Sequence, residues 1–334
     1  MSFYPSLHVR RFGLVALLGA ALAGCSTNAP TPSSSAQGVS PAANLQRDRL
    51  LSRGFAGVAS HRAQSPGWLA PDARKRRIKT LIYWGSYDQN TIYVFSAKGT
   101  NPPEKGQITT GLSNPERLFV DKALDVYSTN LGNNTITAYK RGTTSPFLTI
   151  SNSVNTPTGL TVDAEGTVYC ANVGNDTITE YPKGKTIPSL TIDAFAEYLA
   201  TDANDNLYAS EGSNVYEFAP GSTSGKDLNL NIGSPGALEV DKSGNIIVID
   251  ESSNAIDVFP AGQTQPSEKI PVTAGSPFAL SLNKKETAVF ATVEVNGGFI
   301  LQELAYPKGT TLTTKISGTT YGEWPIAVSP DAAL

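Results

Sequence analysis

The sequence predicts an all-β chain: a six-bladed β-propeller of four-stranded antiparallel blades, its ring closed by the C-terminal strand. Three observations predict it. Two landmarks recur with a period near 40 over residues 80–334, which marks a repeat architecture. No apolar stripe of period 3.6 runs through that region, so helix-pair repeats of similar length do not fit. Gly (30) and Pro (22) are abundant while only 16% of residues are charged, the composition of short strands joined by many turns.

The elements ahead of the repeat read as an export signal and a tether. Arg10 and Arg11 precede an apolar run of 12 residues, Phe12 to Ala23. That is too short to span a bilayer and fits the core of a signal peptide. The run ends in Leu22-Ala23-Gly24-Cys25, which resembles the bacterial lipobox. The resemblance implies cleavage before Cys25, diacylglycerol on its sulfur, and a second or third acyl chain that makes anchoring stable. Ser26 follows; by the enterobacterial sorting rule a residue other than Asp here points to the outer membrane or cell surface rather than the inner membrane. Ser26 to Gln46 carries no charge and is rich in Ser, Ala and Pro, a composition that cannot bury a core. Arg47 to Lys79 holds nine Lys/Arg against Asp48 and Asp72, a net +7. It suits contact with anionic headgroups beside the anchor, a solvated linker, or a linker that folds back on an acidic domain. The division is 1–24 signal peptide, 25–79 disordered tether with a basic stretch, and 80–334 propeller.

Within the repeat, an apolar triplet ending in Asp or its equivalent recurs at Asp121, Asp163, Asp202, Asp241 and Asn283, with spacings of 42, 39, 39 and 42. A glycine closes each unit: Gly99, Gly142, Gly184, Gly221, Gly262 and Gly309. Pro157 to Leu190 parses into four strands: a (Thr158 to Val162), b (Thr167 to Ala171), c (Thr177 to Tyr181) and d (from Ser189). Asp163-Ala-Glu-Gly166 between a and b has Asp first and Gly fourth, as type I turns prefer. Tyr and Val enrich the strands. The first unit begins at strand b (Thr80 to Ser86). The last is followed by Pro325-Ile-Ala-Val-Ser329, which matches strand a of the preceding blade, Pro277-Phe-Ala-Leu-Ser281. The C-terminus therefore supplies the missing inner strand and removes an open edge.

Pro157 to Ile178 resembles the NHL/YVTN-type propeller families in its P-x-G-L-x-V-D-x-x-G-x-V-Y-C-A-N-x-G-N-D-T-I pattern. The resemblance covers residues 80–334 and implies the fold, which hosts enzymes, adaptors and sugar binders alike. In such propellers, sites form where d–a and b–c loops meet above the central channel. The b–c position reads Ser86, Asn130, Asn172, Glu211, Asp250 and either Val293 or Glu294. Asn130, Asn172, Glu211 and Asp250 make a candidate oxygen-rich ring for Ca²⁺ or another divalent metal. Propeller lactonases of the gluconolactonase/regucalcin type hold a metal with Glu, Asn and Asp in comparable places, where it would polarise a lactone carbonyl. Against this, Asn, Asp and Gly suit b–c turns for geometry alone, and the lactonases' E-G-P start has no counterpart beyond Gly322-Glu-Trp-Pro325. The recurrent Asp residues of the a–b turns read as structural caps.

Both His residues, His8 and His61, lie before residue 80, and no G-x-S-x-G elbow is present. His-dependent propeller chemistry therefore has no general base in this domain. The reading favours a non-catalytic binding module in the bacterial cell envelope, a monomer without a resident cofactor, with a metal-dependent lactonase-type hydrolase as the alternative. Tyr87, Tyr198, Phe278 and Trp324 are candidate contacts for an envelope protein, peptide or glycan. Cys170 lies in an apolar strand and reads as a buried small hydrophobe. The propeller itself holds 15 Lys/Arg against 27 Asp/Glu, a net −12, which argues against nucleic acid.

Overall fold

The computed structural model describes residues 67–74, 80–296, 298–319 and 325–329. Cys25 and Trp324 lie outside them. Every regular element among them is a strand. β1 (Trp68–Leu69), β2 (Leu81–Ser86), β3 (Thr91–Ser96) and β4 (Glu104–Ile108) belong to blade 1. Blade 2 is β5 (Pro115–Val120), β6 (Val126–Asn130), β7 (Thr135–Tyr139) and β8 (Leu148–Ile150). Blade 3 is β9 (Pro157–Val162), β10 (Val168–Asn172), β11 (Thr177–Tyr181) and β12 (Leu190–Asp193). Blade 4 is β13 (Tyr198–Thr201), β14 (Leu207–Glu211), β15 (Asn214–Phe218) and β16 (Lys226–Asp227). Blade 5 is β17 (Pro235–Val240), β18 (Ile246–Asp250), β19 (Ala255–Phe259) and β20 (Glu268–Pro271). Blade 6 is β21 (Ser276–Leu282), β22 (Ala288–Val295), β23 (Gly298–Ala305) and β24 (Leu312–Thr319), and β25 (Ile326–Val328) follows. The six antiparallel sheets form a six-bladed β-propeller.

β25 pairs with β2 through Ile82↔Val328, Tyr83↔Ala327 and Trp84↔Ile326, so the C-terminus closes blade 1. The register differs from the sequence match by two residues. Ser329 N donates to Leu81 O (2.8 Å) and Leu81 N to Ser329 Oγ (2.8 Å). Asp163 makes the same reciprocal pair with Thr167 (3.1 and 2.8 Å). Ser329 thus stands where Asp163 and Asn283 stand in their blades, and the cap rather than the proline sets the register. Ile326 then aligns with Leu118, Leu160, Leu199, Leu238 and Leu280. All six line the central channel and are buried.

The a–b caps recur as hydrogen bonds. Oδ1 of Asp121, Asp163, Asp202 and Asp241 accepts the N–H four residues on, at 2.8–2.9 Å. Oδ2 accepts a tyrosine hydroxyl: Tyr127, Tyr169 and Tyr208 within blades 2 to 4, and Tyr306 of blade 6 onto Asp241 of blade 5. These carboxylates hold turns together, as such side chains do. Between b and c, the residue before strand c takes a positive φ: Asn90 (51°), Asn134 (53°), Asp176 (55°) and Asn254 (49°). Asn and Asp tolerate this conformation best among non-glycine residues.

Apolar faces of neighbouring blades pack together, as in the cluster joining Tyr198 and Tyr208 of blade 4, Ile247 and Ile249 of blade 5 and Val289 and Val293 of blade 6. Cys170 is fully buried, and burial pushes its thiol pKa up. Blade 1 carries an addition. β1 pairs antiparallel with the outer strand β4 through Trp68↔Gln107 and Leu69↔Gly106. Asp72 bridges Lys105 at 2.8 Å. The folded unit therefore takes in residues ahead of residue 80, where the sequence places its start. No period announces a strand of two residues.

Candidate functional site

An antiparallel blade puts its a–b and c–d turns at one end and its b–c and d–a turns at the other. The candidate site is the channel mouth on the b–c/d–a side, above the ring of six aliphatic side chains. The inner strands present Arg117, Gly159, Tyr198, Ala237 and Ala279 at the same step, one residue before the aliphatic ring. Four of these five are small or aromatic, and one is a cation.

Arg117 reaches from blade 2 to blade 4. Its guanidinium lies 4.1 Å from the centroid of the Tyr198 ring, within the range of a cation–π contact. The Tyr198 hydroxyl donates to Glu251 Oε1 of blade 5 at 3.4 Å. Burial, offset by Arg117, pushes the Tyr198 pKa up; Glu251, Glu197 and Glu116 push it further. Arg117 Nε and Nη1 are buried and have no hydrogen-bond partner. Unpaired donors of a charged group in a buried place are costly, so Arg117 is the charged group at this mouth that lacks an acceptor, alongside the unpartnered hydroxyls of Ser86, Thr158 and Ser210. Beside it lies a cavity of about 30 Å³ lined by the aliphatic ring, Arg117, Tyr198 and Glu239. That is room for one or two water-sized groups. Glu239 faces the cavity, and burial raises its pKa to about 7 against the pull of Lys284.

The oxygen-rich ring proposed from sequence is built as a scaffold at three of its four members. Asn130 Oδ1 accepts from Ser113 N (3.2 Å), and Nδ2 donates to Thr137 Oγ1 (3.0 Å). Asn172 repeats this with Asn155 N (3.0 Å) and Thr179 Oγ1 (3.0 Å). Each amide ties a d–a loop to a b–c turn. Asp250 Oδ1 accepts from Ser234 N (3.2 Å) and Ser252 Oγ (2.6 Å), and Oδ2 from Ser253 Oγ (2.8 Å). Burial raises its pKa, yet the bonds from Ser252, Ser253 and Ser234 outweigh this and hold it at about 2. Blade 5 also replaces the Asn–Thr pair of blades 2 and 3 with ions. Lys269 Nζ lies 2.6 Å from Asp257 Oδ2 and 3.6 Å from Asp250 Oδ2.

Glu211 is the half-buried fourth member; burial and then Asp176 raise its pKa. By register the blade 6 position is Val293, paired with Pro277 as Asn130 pairs with Pro115. Val293 offers no oxygen side chain. Among the described residues, no group of three or more His, Cys, Asp or Glu could hold a metal ion.

Of the candidate aromatics, Tyr198 is buried beneath Arg117. Phe278 packs edge-on against Phe299 at 5.7 Å and lines a small pocket with Glu251, Asn254, Ser276 and Pro277. Tyr87 is half-buried against the same blade 6 cluster, and its carbonyl accepts from Asn114 Nδ2 (3.1 Å). Arg117 was missed from sequence. A comparison of equivalent positions carries the signal: a long cation where three other blades hold Gly159, Ala237 and Ala279.

No family model and no curated protein matches the chain. Solved structures match its fold. A chain of a nidogen/laminin complex aligns with TM-score 0.62 and 18% identity, covering 75% of this chain and 99% of that one. A protein of unknown function from Bacteroides caccae aligns with TM-score 0.59 and 11% identity, over 75% and 99%. Hydrazine synthase of Kuenenia stuttgartiensis aligns with TM-score 0.51 and 12% identity, over 61% and 66%. At these identities the likeness is one of fold, and the chain shares the β-propeller architecture with them.

Proposed function

We propose that this propeller is a non-catalytic binding module of the bacterial cell envelope, held there by acylated Cys25, with its ligand engaging the channel mouth at Arg117. The observation that carries the binding reading is the half-buried Arg117, whose Nε and Nη1 are buried and have no acceptor. A peptide or glycan presenting a carboxylate or another oxygen acceptor would satisfy it, and charge-assisted bonds of this kind are the strong ones. The hydrogen bonds that occupy Asn130, Asn172 and Asp250 weigh against the lactonase-type alternative, because a metal would compete with bonds that hold the turns. The lipobox-like Leu22-Ala-Gly-Cys25 supports the anchor.

The test has two arms. Wild-type chain and Arg117→Met are compared on peptide and acidic-glycan arrays, with melting temperature as the folding control. Binding lost in a variant that melts like wild type supports the module; equal binding overturns the role of Arg117. A melting shift with millimolar Ca²⁺ that EDTA reverses, together with lactone hydrolysis abolished by Glu211→Gln, would replace the proposal with the hydrolase.

A further inference from the structure

The two ends of the propeller differ in the charge they expose. In the a–b and c–d turns, nine lysines are solvent-exposed: Lys98, Lys122, Lys140, Lys183, Lys185, Lys242, Lys284, Lys285 and Lys308. The acids there are mostly withdrawn into capping. Asp121, Asp125, Asp163 and Asp241 are buried and Asp202, Asp205 and Glu286 are half-buried; Glu165 is exposed, and at the adjoining strand starts Glu268 is exposed and Glu104 half-buried. Lys140 pairs with Asp125 at 2.6 Å, Lys242 lies 3.9 Å from Glu286, and Lys284 pulls on Glu239. The described b–c and d–a turns hold no lysine, and the one ammonium among the described residues that reaches them is Lys269 of β20, 3.6 Å from Asp250 Oδ2. These turns and the adjoining strand ends carry exposed Asp88, Asp176 and Asp193 and half-buried Glu197, Glu211, Asp227, Glu251 and Glu294, against half-buried Arg117.

We infer that the a–b/c–d face is the surface this domain lays on an anionic lipid bilayer, which leaves the acidic face and its channel mouth pointing away. The inference rests on the proposed anchor at Cys25, which keeps the domain near a membrane. Lysines close to an anionic surface are attracted, and that attraction falls off within a Debye length of about 8 Å at physiological salt. The domain therefore senses the sign of the face it turns to the membrane. Attraction of the lysine face and repulsion of the carboxylate face select the same orientation. Lysine stems also allow the ammonium groups to reach headgroups while the turns stay above them. A uniformly acidic domain of net −12 would be repelled; segregating the charge resolves that conflict.

The test uses the acylated mature chain in vesicles. A donor fluorophore is placed at Lys183→Cys or at Asp176→Cys, which flank β11 at opposite ends, about 20 Å apart. Native Cys170 is fully buried and does not compete for label. Acceptors sit on the headgroups of phosphatidylcholine vesicles with or without phosphatidylglycerol. With phosphatidylglycerol, energy transfer from Lys183→Cys should exceed that from Asp176→Cys. The difference should vanish without phosphatidylglycerol, in 1 M salt, where the Debye length is about 3 Å, and in the Lys242→Glu/Lys284→Glu/Lys285→Glu variant. Equal transfer from both labels on vesicle-bound protein overturns the orientation and leaves the anchor standing. Equal transfer with tight heparin binding assigns the lysine face to a soluble polyanion instead. Protein that carries no acyl group and stays off the vesicles overturns the anchor, and the orientation falls with it.

Discussion

Deleting residues 325–334 should unfold the propeller. The deletion removes β25, whose Ile326, Ala327 and Val328 are each 3% exposed. Burying the two β-branched side chains is worth about 3–6 kcal/mol together. The deletion also strips partners from β2. Gly85 N loses Pro325 O (2.8 Å), Leu81 N loses Ser329 Oγ (2.8 Å) and Leu81 O loses Ser329 N (2.8 Å). Orphaned groups at an edge that water can reach cost about 0.5–1.5 kcal/mol each. The sum, roughly 5–10 kcal/mol, is comparable to the whole stability of an ordinary domain. Urea denaturation followed by circular dichroism should show a cooperative transition in the full chain and none in the truncated one. Ile326→Val provides a graded control, costing about 1 kcal/mol and lowering the melting temperature by roughly 2–4 °C. A truncated chain that melts at the wild-type temperature would refute closure by β25. A full effect from Ile326→Val would show instead that packing of one side chain carries the joint.

Lys269→Met should destabilise by about 2–3 kcal/mol at pH 7, below the full cost of breaking a buried pair because the lysine is half exposed. The loss should shrink towards pH 4: burial already raises the Asp257 pKa, and protonation removes the uncompensated charge. The triple variant Asp250→Asn/Asp257→Thr/Lys269→Thr copies Asn172, Thr179 and Thr191 of blade 3 and should recover most of that stability in a urea titration. Glu239→Gln should raise stability at pH 8 by on the order of 1–2 kcal/mol and change little at pH 4. A carboxyl with a raised folded pKa destabilises the fold as pH climbs through the interval up to that pKa, here about 7, and melting curves at the two pH values check the sign. Asp163→Ala should cost about 1–2 kcal/mol by removing a cap that accepts from Glu165 N and Thr167 N and from the Tyr169 hydroxyl. Tyr169→Phe, which deletes the hydroxyl alone, should cost less than Asp163→Ala in the same denaturation assay.

The blade architecture was legible because each blade must solve the same local problem with local residues. Asp163 caps the turn between its own strands, Asp176 turns the chain at positive φ, and the strands between them are a few residues long. Such signals repeat with the period and need no partner distant in sequence. The closing strand was legible for the same reason, though its register was not. A proline match placed Ser329 two residues early, and only its hydrogen bonds with Leu81 showed it to be a cap. The candidate site was read less well. Asn130, Asn172 and Asp250 looked like metal ligands because oxygen-rich turns serve geometry and coordination with the same side chains. Their partners, Ser113, Asn155 and Ser234, lie 16 or 17 residues away.

The sequence by itself determined the number of blades, the turn chemistry and the ring closure, since these follow from periodicity and short-range hydrogen bonding. The tertiary structure decided which polar groups are already satisfied and which are not. Arg117 is ordinary in its own strand. It becomes a half-buried cation over Tyr198, with two buried donor atoms unpaired, because ring closure brings blades 2 and 4 across one narrow channel. The segregation of lysines from carboxylates is likewise invisible in a net charge of −12, and it emerges when antiparallel pairing sends alternate turns to opposite ends of each blade.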